Sequence, residues 1–170
     1  MADMELQLND GFVTVIDSDD FDKIHEVHFM NGLIWRGSVS ERSWRVSQKP
    51  HTNYAICLLT GSFELRLHRV LLDAKANQIV DHIDGNGLNN RRSNIRIVDT
   101  KQNARNRNPN AGKTVKGVSF HRNTGKWSAQ IKVGGKKIHL GLFVTPELAQ
   151  AAYNAAATKH FGEFAKVVQP

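Results

Sequence analysis

Alternating apolar and polar residues between positions 126 and 142 constrain the fold most strongly. From 126 to 133, apolar side chains occupy every second position, and Lys, Ser and Gln occupy the others. This two-residue period predicts a strand with one buried face, and Gly134-Gly135 fits the tight turn of a hairpin. Apolar residues of two further strands are predicted to complete the same inner face: Val118, Phe120, Ile138, Leu140 and Leu142.

A helix is predicted directly after this sheet. Thr145 can cap it and Pro146 suits its first turn, and the pattern continues to about His160. Its small inner residues should pack closely on the apolar sheet face: Ala149, Ala152, Tyr153 and Ala156. The C-terminal region is therefore predicted to be a three-stranded antiparallel sheet on one helix, with the polar face free to bind.

The preceding residues predict a β-rich N-terminal scaffold and a compact central unit. Residues 1–62 contain strand patterns, among them those around Trp44 and Tyr54, a short helix after Asp17 and a hairpin turn at Asn31-Gly32. Residues 63–108 predict a strand that runs into a short helix or turn at 63–72, strands at 78–82 and 95–98, and a helix capped by Asp99 or Thr100. The expected fold is α+β: a scaffold (1–62), a ββα unit (63–108), a linker (109–114) and the sheet-and-helix domain (115–170).

The net charge of +7 is unevenly distributed. Residues 1–60 carry five Lys and Arg against nine Asp and Glu, residues 61–110 nine against five, and residues 111–170 nine against two. The basic part is expected to face a polyanion, although a charge run can also be a solvated surface. Lone Cys57 excludes a disulfide framework, and no membrane-spanning run occurs. These features predict a soluble protein of the cytoplasm, with no membrane partner.

Residues 67–108 contain the groups that phosphodiester hydrolysis requires, namely a base, a cation site and backbone contacts. His82 is the candidate general base. Asp81 and Asn103 offer oxygen ligands suited to a hard cation such as Mg²⁺ or Mn²⁺, and Asn94 is expected to pin the loop and orient His82. Neighbouring strand residues point to opposite faces, so Asp81 and His82 share a site only where the strand bends.

Basic residues flank this candidate centre and suggest phosphate as the substrate. The expected DNA-binding arginines are Arg91, Arg92, Arg96, Arg105 and Arg107. The alternative is a tight turn without chemistry, in which Asn and Gly supply positive φ angles. That alternative applies mainly to Asn86, Asn89 and Asn90, and less to His82.

Three segments in this order resemble the HNH nucleases, and more closely the phage-encoded homing endonucleases of that group. They are HRVLL at 68–72, VDHIDGNGLNNRRSNIRIV at 80–98 and QNARNR at 102–107. The resemblance implies a ββα-metal fold with one divalent ion: Asp81 and Asn103 as ligands, His82 as general base and Asn94 as the middle motif residue. Asn103 occupies the position of the last His of the HNH motif, from which the family takes its name. His68 matches a family position, and its role is left open between structural and phosphate-binding.

Residues 115–164 are similar to the DNA-binding domain of plant ethylene-response factors, through KGVSFHRNTGKWSAQIKV, HLGLF and the Ala-rich helix. The resemblance implies that the sheet lies in the major groove. The implied contacts are Lys116, Ser119, His121, Lys126, Gln130, Lys132, Lys137 and His139. Alternation independently places all of them except Lys116 on the polar face. Lys cannot form the bidentate fork of Arg to guanine, so modest sequence discrimination is expected.

The leading expectation is a metal-dependent endonuclease of the HNH homing type that nicks or cuts double-stranded DNA, as a monomer or homodimer. If the gene is carried by a phage, the enzyme would act in the host cytoplasm. A catalytically silent DNA-binding regulator on the same scaffold is the alternative. RNA binding is a distant third, because most aromatic residues fall on the inner sheet face.

Overall fold

The computed structural model describes residues 2–25, 44–59, 63–106 and 116–167. Two compact units divide the chain, Met1–Thr100 and Lys101–Pro170. Within the described residues the protein is a mixed α/β structure with several small antiparallel sheets and four helices. No helix in these ranges is long and apolar enough to cross a membrane.

The first unit begins with a hairpin, β1 (Asp3–Gln7) and β2 (Val13–Asp17), followed by helix α1 (Phe21–His25). A three-stranded antiparallel sheet comes next, and its strands lie in chain order: β3 (Trp44–Ser47), β4 (Tyr54–Leu59) and β5 (Phe63–Arg66). The predicted strands around Trp44 and Tyr54 are confirmed. The predicted hairpin turn at Asn31-Gly32 lies outside the described residues.

Strand β5 leads directly into helix α2 (Leu67–Leu71), as the sequence predicts. Strands β6 (Ile79–His82) and β7 (Ile95–Val98) then form an antiparallel pair in which Asp81 lies opposite Arg96 and His82 opposite Ile95. The loop between them, residues 83–94, contacts β2 through backbone bonds. Val15 N donates to Leu88 O at 3.0 Å, and Asn90 N donates to Val15 O at 2.8 Å.

One hydrophobic core joins the N-terminal third to the β6–β7 region. Its buried members come from both parts of the sequence: Leu6, Leu8, Ile16, Ile24, Trp44, Ala55, Cys57, Leu67, Leu71 and Ile95. Burial of apolar surface is the main favourable term in folding. The N-terminal strands therefore help to stabilise the segment that carries Asp81 and His82.

In the second unit, strands β8 (Val118–His121), β9 (Lys126–Val133) and β10 (Lys136–Phe143) form an antiparallel sheet in the order β10-β9-β8. Helix α4 (Pro146–Phe161) packs on it through Ala149, Tyr153 and Ala157. The cap prediction is confirmed, because Thr145 Oγ1 accepts a hydrogen bond from Leu148 N at 3.3 Å. Helix α3 (Thr100–Asn106) starts at the unit boundary.

A β-bulge between His139 and Gly141 changes the predicted faces of β10. After the bulge, Leu142 pairs with Ser128 and is 42% exposed, while Phe143 pairs with Trp127 and packs against the core. The prediction that Leu142 belongs to the inner face is therefore wrong, because the extra residue reverses the alternation. Phe120 is also less buried than predicted: it is 51% exposed and contacts the Trp127 ring edge-on.

Candidate active site

His82 ends β6 and is 5% exposed. Its Nε2 lies 3.1 Å from Asn90 Oδ1. Burial lowers the pKa of His82 below its usual value, and this effect outweighs the Asn90 bond and the charges of Asp84 and Asp81, which act in the opposite direction. The ring is therefore predominantly neutral near pH 7, which is the state that a general base requires.

Asn90 is fully buried and links His82 to strand β2. Its Nδ2 donates to Thr14 Oγ1 at 2.7 Å and lies 3.3 Å from Gly87 O. Thr14 is also fully buried, and its hydroxyl donates to Leu88 O at 2.8 Å. Sequence reasoning left Asn90 open between turn geometry and a role in the site, and it assigned Thr14 no role. The contact joins positions that are 76 residues apart, and no local pattern indicates it.

His68, on α2, packs against the same ring. The imidazoles of His68 and His82 meet edge-on with centroids 4.9 Å apart, and the Tyr54 ring lies 5.5 Å from His68 and 6.0 Å from His82. His68 is 4% exposed, and no described group bonds to its buried Nδ1. Burial, followed by the charges of His82, Arg66 and Arg69, holds the pKa of His68 well below the usual value.

This burial predicts that acid destabilises the first unit. The unfolded state binds protons below the ordinary histidine pKa near 6.5, whereas folded His68 does not. The contribution of His68 to the free energy of unfolding is therefore fully present above pH 6.5. It is lost as the pH decreases towards the folded pKa, with a slope of at most about 1.4 kcal/mol per pH unit for this residue. Urea unfolding at several pH values should measure that slope. His68→Phe should reduce it, and an unchanged slope in the variant would contradict the assignment to His68.

The loop between β6 and β7 is held by Asp84 and Asn94. Asn94 Oδ1 accepts from Asp84 N at 3.1 Å, and Asn94 Nδ2 donates to Asp84 Oδ1 at 2.9 Å and to Asn89 O at 2.7 Å. Burial alone would raise the pKa of Asp84, but bonds from Asn86, Asn89 and Asn94 lower it overall. Asn94 thus pins the loop, as predicted. Asn94 was also expected to orient His82, but the side-chain hydrogen bond described for the His82 ring is the one to Asn90.

Asp81 lies beside His82 and accepts two hydrogen bonds from Arg96. Arg96 Nη2 and Nε lie 3.1 and 3.3 Å from Asp81 Oδ2, and both side chains are nearly buried. A carboxylate has about four acceptor positions on its two oxygens. Arg96 therefore orients the Asp81 carboxylate, and carboxylate oxygens are ligands that hard cations prefer. The chemistry of this donor fits Mg²⁺ or Mn²⁺.

Asn103, the second predicted ligand, is half-buried on α3 and belongs to the second unit. Its pairing with Asp81 stays a prediction. Within the described residues, no cluster of three or more His, Cys, Asp or Glu side chains could form a different metal centre. The expected site depends instead on one carboxylate and one amide.

The predicted DNA-binding arginines have contacts within the protein. Arg91 pairs with Asp3 at 2.6 Å, and Arg92 pairs with Asp20 at 2.6 Å. Arg105 stacks over the Phe161 ring at 4.7 Å, and Arg107 lies outside the described residues. Arg96 is held by Asp81. Phosphate binding by these residues stays a prediction.

Arg92→Ala should destabilise the protein because it leaves a buried carboxylate without its cation. The Asp20 side chain is 8% exposed and accepts two bonds from the Arg92 guanidinium. Loss of such a partner costs about 1–3 kcal/mol, which urea denaturation can measure. Arg91→Ala is the matched control, because Asp3 is 57% exposed; its midpoint should hardly change. Equal effects in the two variants would contradict the distinction.

The outer face of the C-terminal sheet carries most of the predicted contact residues. Cross-strand partners on this face include Lys132 opposite Lys137 and Gln130 opposite His139. Seven predicted residues are exposed there: Ser119, His121, Lys126, Gln130, Lys132, Lys137 and His139. Lys116 differs, because its ammonium donates to Arg105 O at 2.6 Å. The alternation prediction of one polar face is confirmed for these seven residues.

Comparisons with known proteins identify the central region. Residues 73–105 match the family model described as HNH endonuclease. An uncharacterized HNH endonuclease of Acanthamoeba polyphaga mimivirus is 30% identical over 167 residues, which cover 89% of this chain and 87% of the relative. The chain belongs to the HNH endonuclease family. Asp81, His82, Asn94 and Asn103 all lie within the matched segment of this endonuclease.

Plant transcription factors match a shorter segment of this HNH family member. An AP2-like ethylene-responsive transcription factor of Arabidopsis thaliana is 45% identical over 47 residues, or 28% of this chain and 10% of the plant protein. An APETALA2-like protein of Oryza sativa has the same identity over the same length. No solved structure matches the chain.

Proposed function

We propose that this member of the HNH family is a metal-dependent DNA endonuclease of the homing type, which hydrolyses phosphodiester bonds in double-stranded DNA. The observation that carries the proposal is the buried His82 ring, whose lowered pKa keeps it neutral beside Asp81. A neutral imidazole can accept a proton from a water molecule near pH 7. His82 is therefore the general base.

Asp81 and Asn103 would hold one Mg²⁺ or Mn²⁺ ion, which would offset negative charge on the scissile phosphate and the leaving oxygen. Arg96 keeps the Asp81 carboxylate in one orientation through two hydrogen bonds. Asn94 keeps the loop closed behind His82. Arg96 thus orders the Asp81 carboxylate, and Asn94 orders the loop, before the substrate arrives. This order reduces the entropy cost of reaching the reactive geometry.

The outer face of the C-terminal sheet would hold the DNA target. Its exposed lysines at 126, 132 and 137 supply positive charge without the planar fork of arginine. Phosphate contacts from such residues position a protein on the duplex, whereas base-edge contacts specify sequence. Exposed Gln130 and His139 lie opposite each other and can contribute to base recognition. We therefore expect strong binding with modest sequence preference.

The test is incubation of the purified protein with supercoiled plasmid carrying DNA of its natural setting, with Mg²⁺ or with EDTA. Conversion to open-circular or linear DNA only when Mg²⁺ is present supports the proposal, and the product form distinguishes nicking from double-strand cleavage. If the protein shifts DNA in a gel but cleaves neither the plasmid nor a pool of genomic fragments in the presence of Mg²⁺, a DNA-binding regulator is favoured instead. The released ends should carry 5′-phosphate and 3′-hydroxyl groups.

A further inference from the structure

We infer that Asn90 and Thr14 are positioning residues that set the tautomer of His82, so that strand β2 belongs to the catalytic apparatus. The inference rests on the proposed function in one respect, namely that His82 is the general base. It depends on three consecutive hydrogen bonds: Thr14 to Leu88, Asn90 to Thr14 and His82 to Asn90. Two of the four residues, Asn90 and Thr14, are fully buried.

The direction of each bond follows from the number of protons available. The Thr14 hydroxyl has one proton, which it donates to Leu88 O, so it can only accept from Asn90. The atom of Asn90 that faces it must therefore be the amide nitrogen. Gly87 O, 3.3 Å from the same atom, requires a donor there as well. Rotating the amide by 180° would bring two oxygens together.

With the amide nitrogen fixed, the Asn90 oxygen faces His82 Nε2 at 3.1 Å. An amide oxygen can only accept, so Nε2 must carry the proton of the neutral ring. The lone pair then lies on Nδ1, and this nitrogen is the one that can receive a proton from water. The opposite tautomer would place a lone pair against the Asn90 oxygen.

Strand β2 holds this arrangement with more than the Thr14 side chain. The backbone of Val15 bonds on both sides, to Leu88 O at 3.0 Å and from Asn90 N at 2.8 Å. Asn90 thus has its backbone and its side chain fixed by neighbouring residues of the same strand. Side chains whose positions are set in this way keep a catalytic group within the narrow geometry that reaction requires.

The test combines an NMR measurement of the His82 ring with nicking kinetics. Long-range ¹H–¹⁵N correlation, with EDTA present and above neutral pH, reports which ring nitrogen carries the proton, and His82→Ala assigns the signal. We expect Nε2–H in the wild type. Thr14→Val should populate the Nδ1–H tautomer and lower kcat about 10-fold while KM stays the same, and Thr14→Ser should recover kcat to within about twofold.

Thr52→Val is the matched control. Thr52 also bonds to this loop, because Gly87 N donates to its Oγ1 at 2.8 Å. It is not a member of the hydrogen-bond series that links Thr14 through Asn90 to His82. It should leave the tautomer unchanged. Equal losses of kcat in Thr14→Val and Thr52→Val, or an Nδ1–H ring in the wild type, would overturn the inference. Asn90→Leu should produce the same tautomer change. If Asn90→Leu does not fold, Thr14→Val tests the inference on its own.

The two readouts separate the inference from the proposed function. If the wild type nicks no DNA, or His82→Ala nicks as well as the wild type, the proposed function fails. The tautomer in the wild type and in Thr14→Val still decides whether Asn90 and Thr14 position the ring.

Discussion

His82→Ala should lower the rate of plasmid nicking by about 10²- to 10⁴-fold, the usual contribution of a general base. The ring is buried, neutral and bonded at Nε2, and Ala offers no atom that can accept the proton of water. The measurement is the initial rate of supercoiled plasmid loss at saturating Mg²⁺. Affinity for DNA should remain, because the exposed basic face of the C-terminal sheet is not altered.

His51→Ala is a suitable control for this experiment, because it removes an exposed histidine from the same unit. Its nicking rate should match that of the wild type. Thermal unfolding of each variant separates loss of catalysis from loss of fold. A folded His82→Ala protein that nicks at the wild-type rate would remove His82 from the role of base.

Binding to duplex DNA should weaken by about 10³- to 10⁵-fold between 50 and 200 mM salt if about 6 to 10 phosphates are contacted. The physical cause is release of counterions when lysine and arginine side chains neutralise phosphates. Fluorescence anisotropy with labelled duplex, in EDTA to prevent cleavage, measures the dependence of log affinity on log salt. Lys132→Gln should reduce the slope by about 1, because Lys132 is exposed on the outer face of the sheet.

Lys159→Gln removes the same charge from the last turn of α4. This helix packs on the opposite face of the sheet, so the slope should not change. A weak salt dependence in the wild type would contradict a phosphate-binding role for the basic face. Equal slope changes in Lys132→Gln and Lys159→Gln would indicate a general charge effect rather than a defined surface.

Local patterns in the sequence predicted many of the described elements. The strict alternation of 126–133 gave the bounds of β9, and Thr145 followed by Pro146 located the start of α4. The face predicted for Leu142 was wrong because a bulge adds one residue to β10, and the position of a bulge depends on pairing with β9. Periodicity describes a strand alone, whereas bulges arise from the partner strand.

The candidate site was predictable where its residues form a spaced motif, as Asp81, His82 and Asn94 do. Asn90 was not, because an Asn in a Gly/Asn-rich loop ordinarily supplies turn geometry. Thr14 was still harder to predict, since it contacts Asn90 from 76 residues away in the sequence. The Arg96 contact with Asp81 follows from the β6–β7 register, which the sequence does not specify to the residue.

The single core shared by β1, β2 and the β6–β7 region limits how this nuclease motif could be transplanted. Among the described residues, the segment 73–105, which matches the family model, supplies Ile95 to the buried core, with Val80 and Leu88 partly buried against it; the other buried members precede that segment. Cut out alone, the segment would lose the surfaces that bury it and the strand that bonds its loop. A chimaera that grafts the motif onto another DNA-binding protein should therefore include the N-terminal hairpin, since the smallest transferable nuclease is larger than its motif.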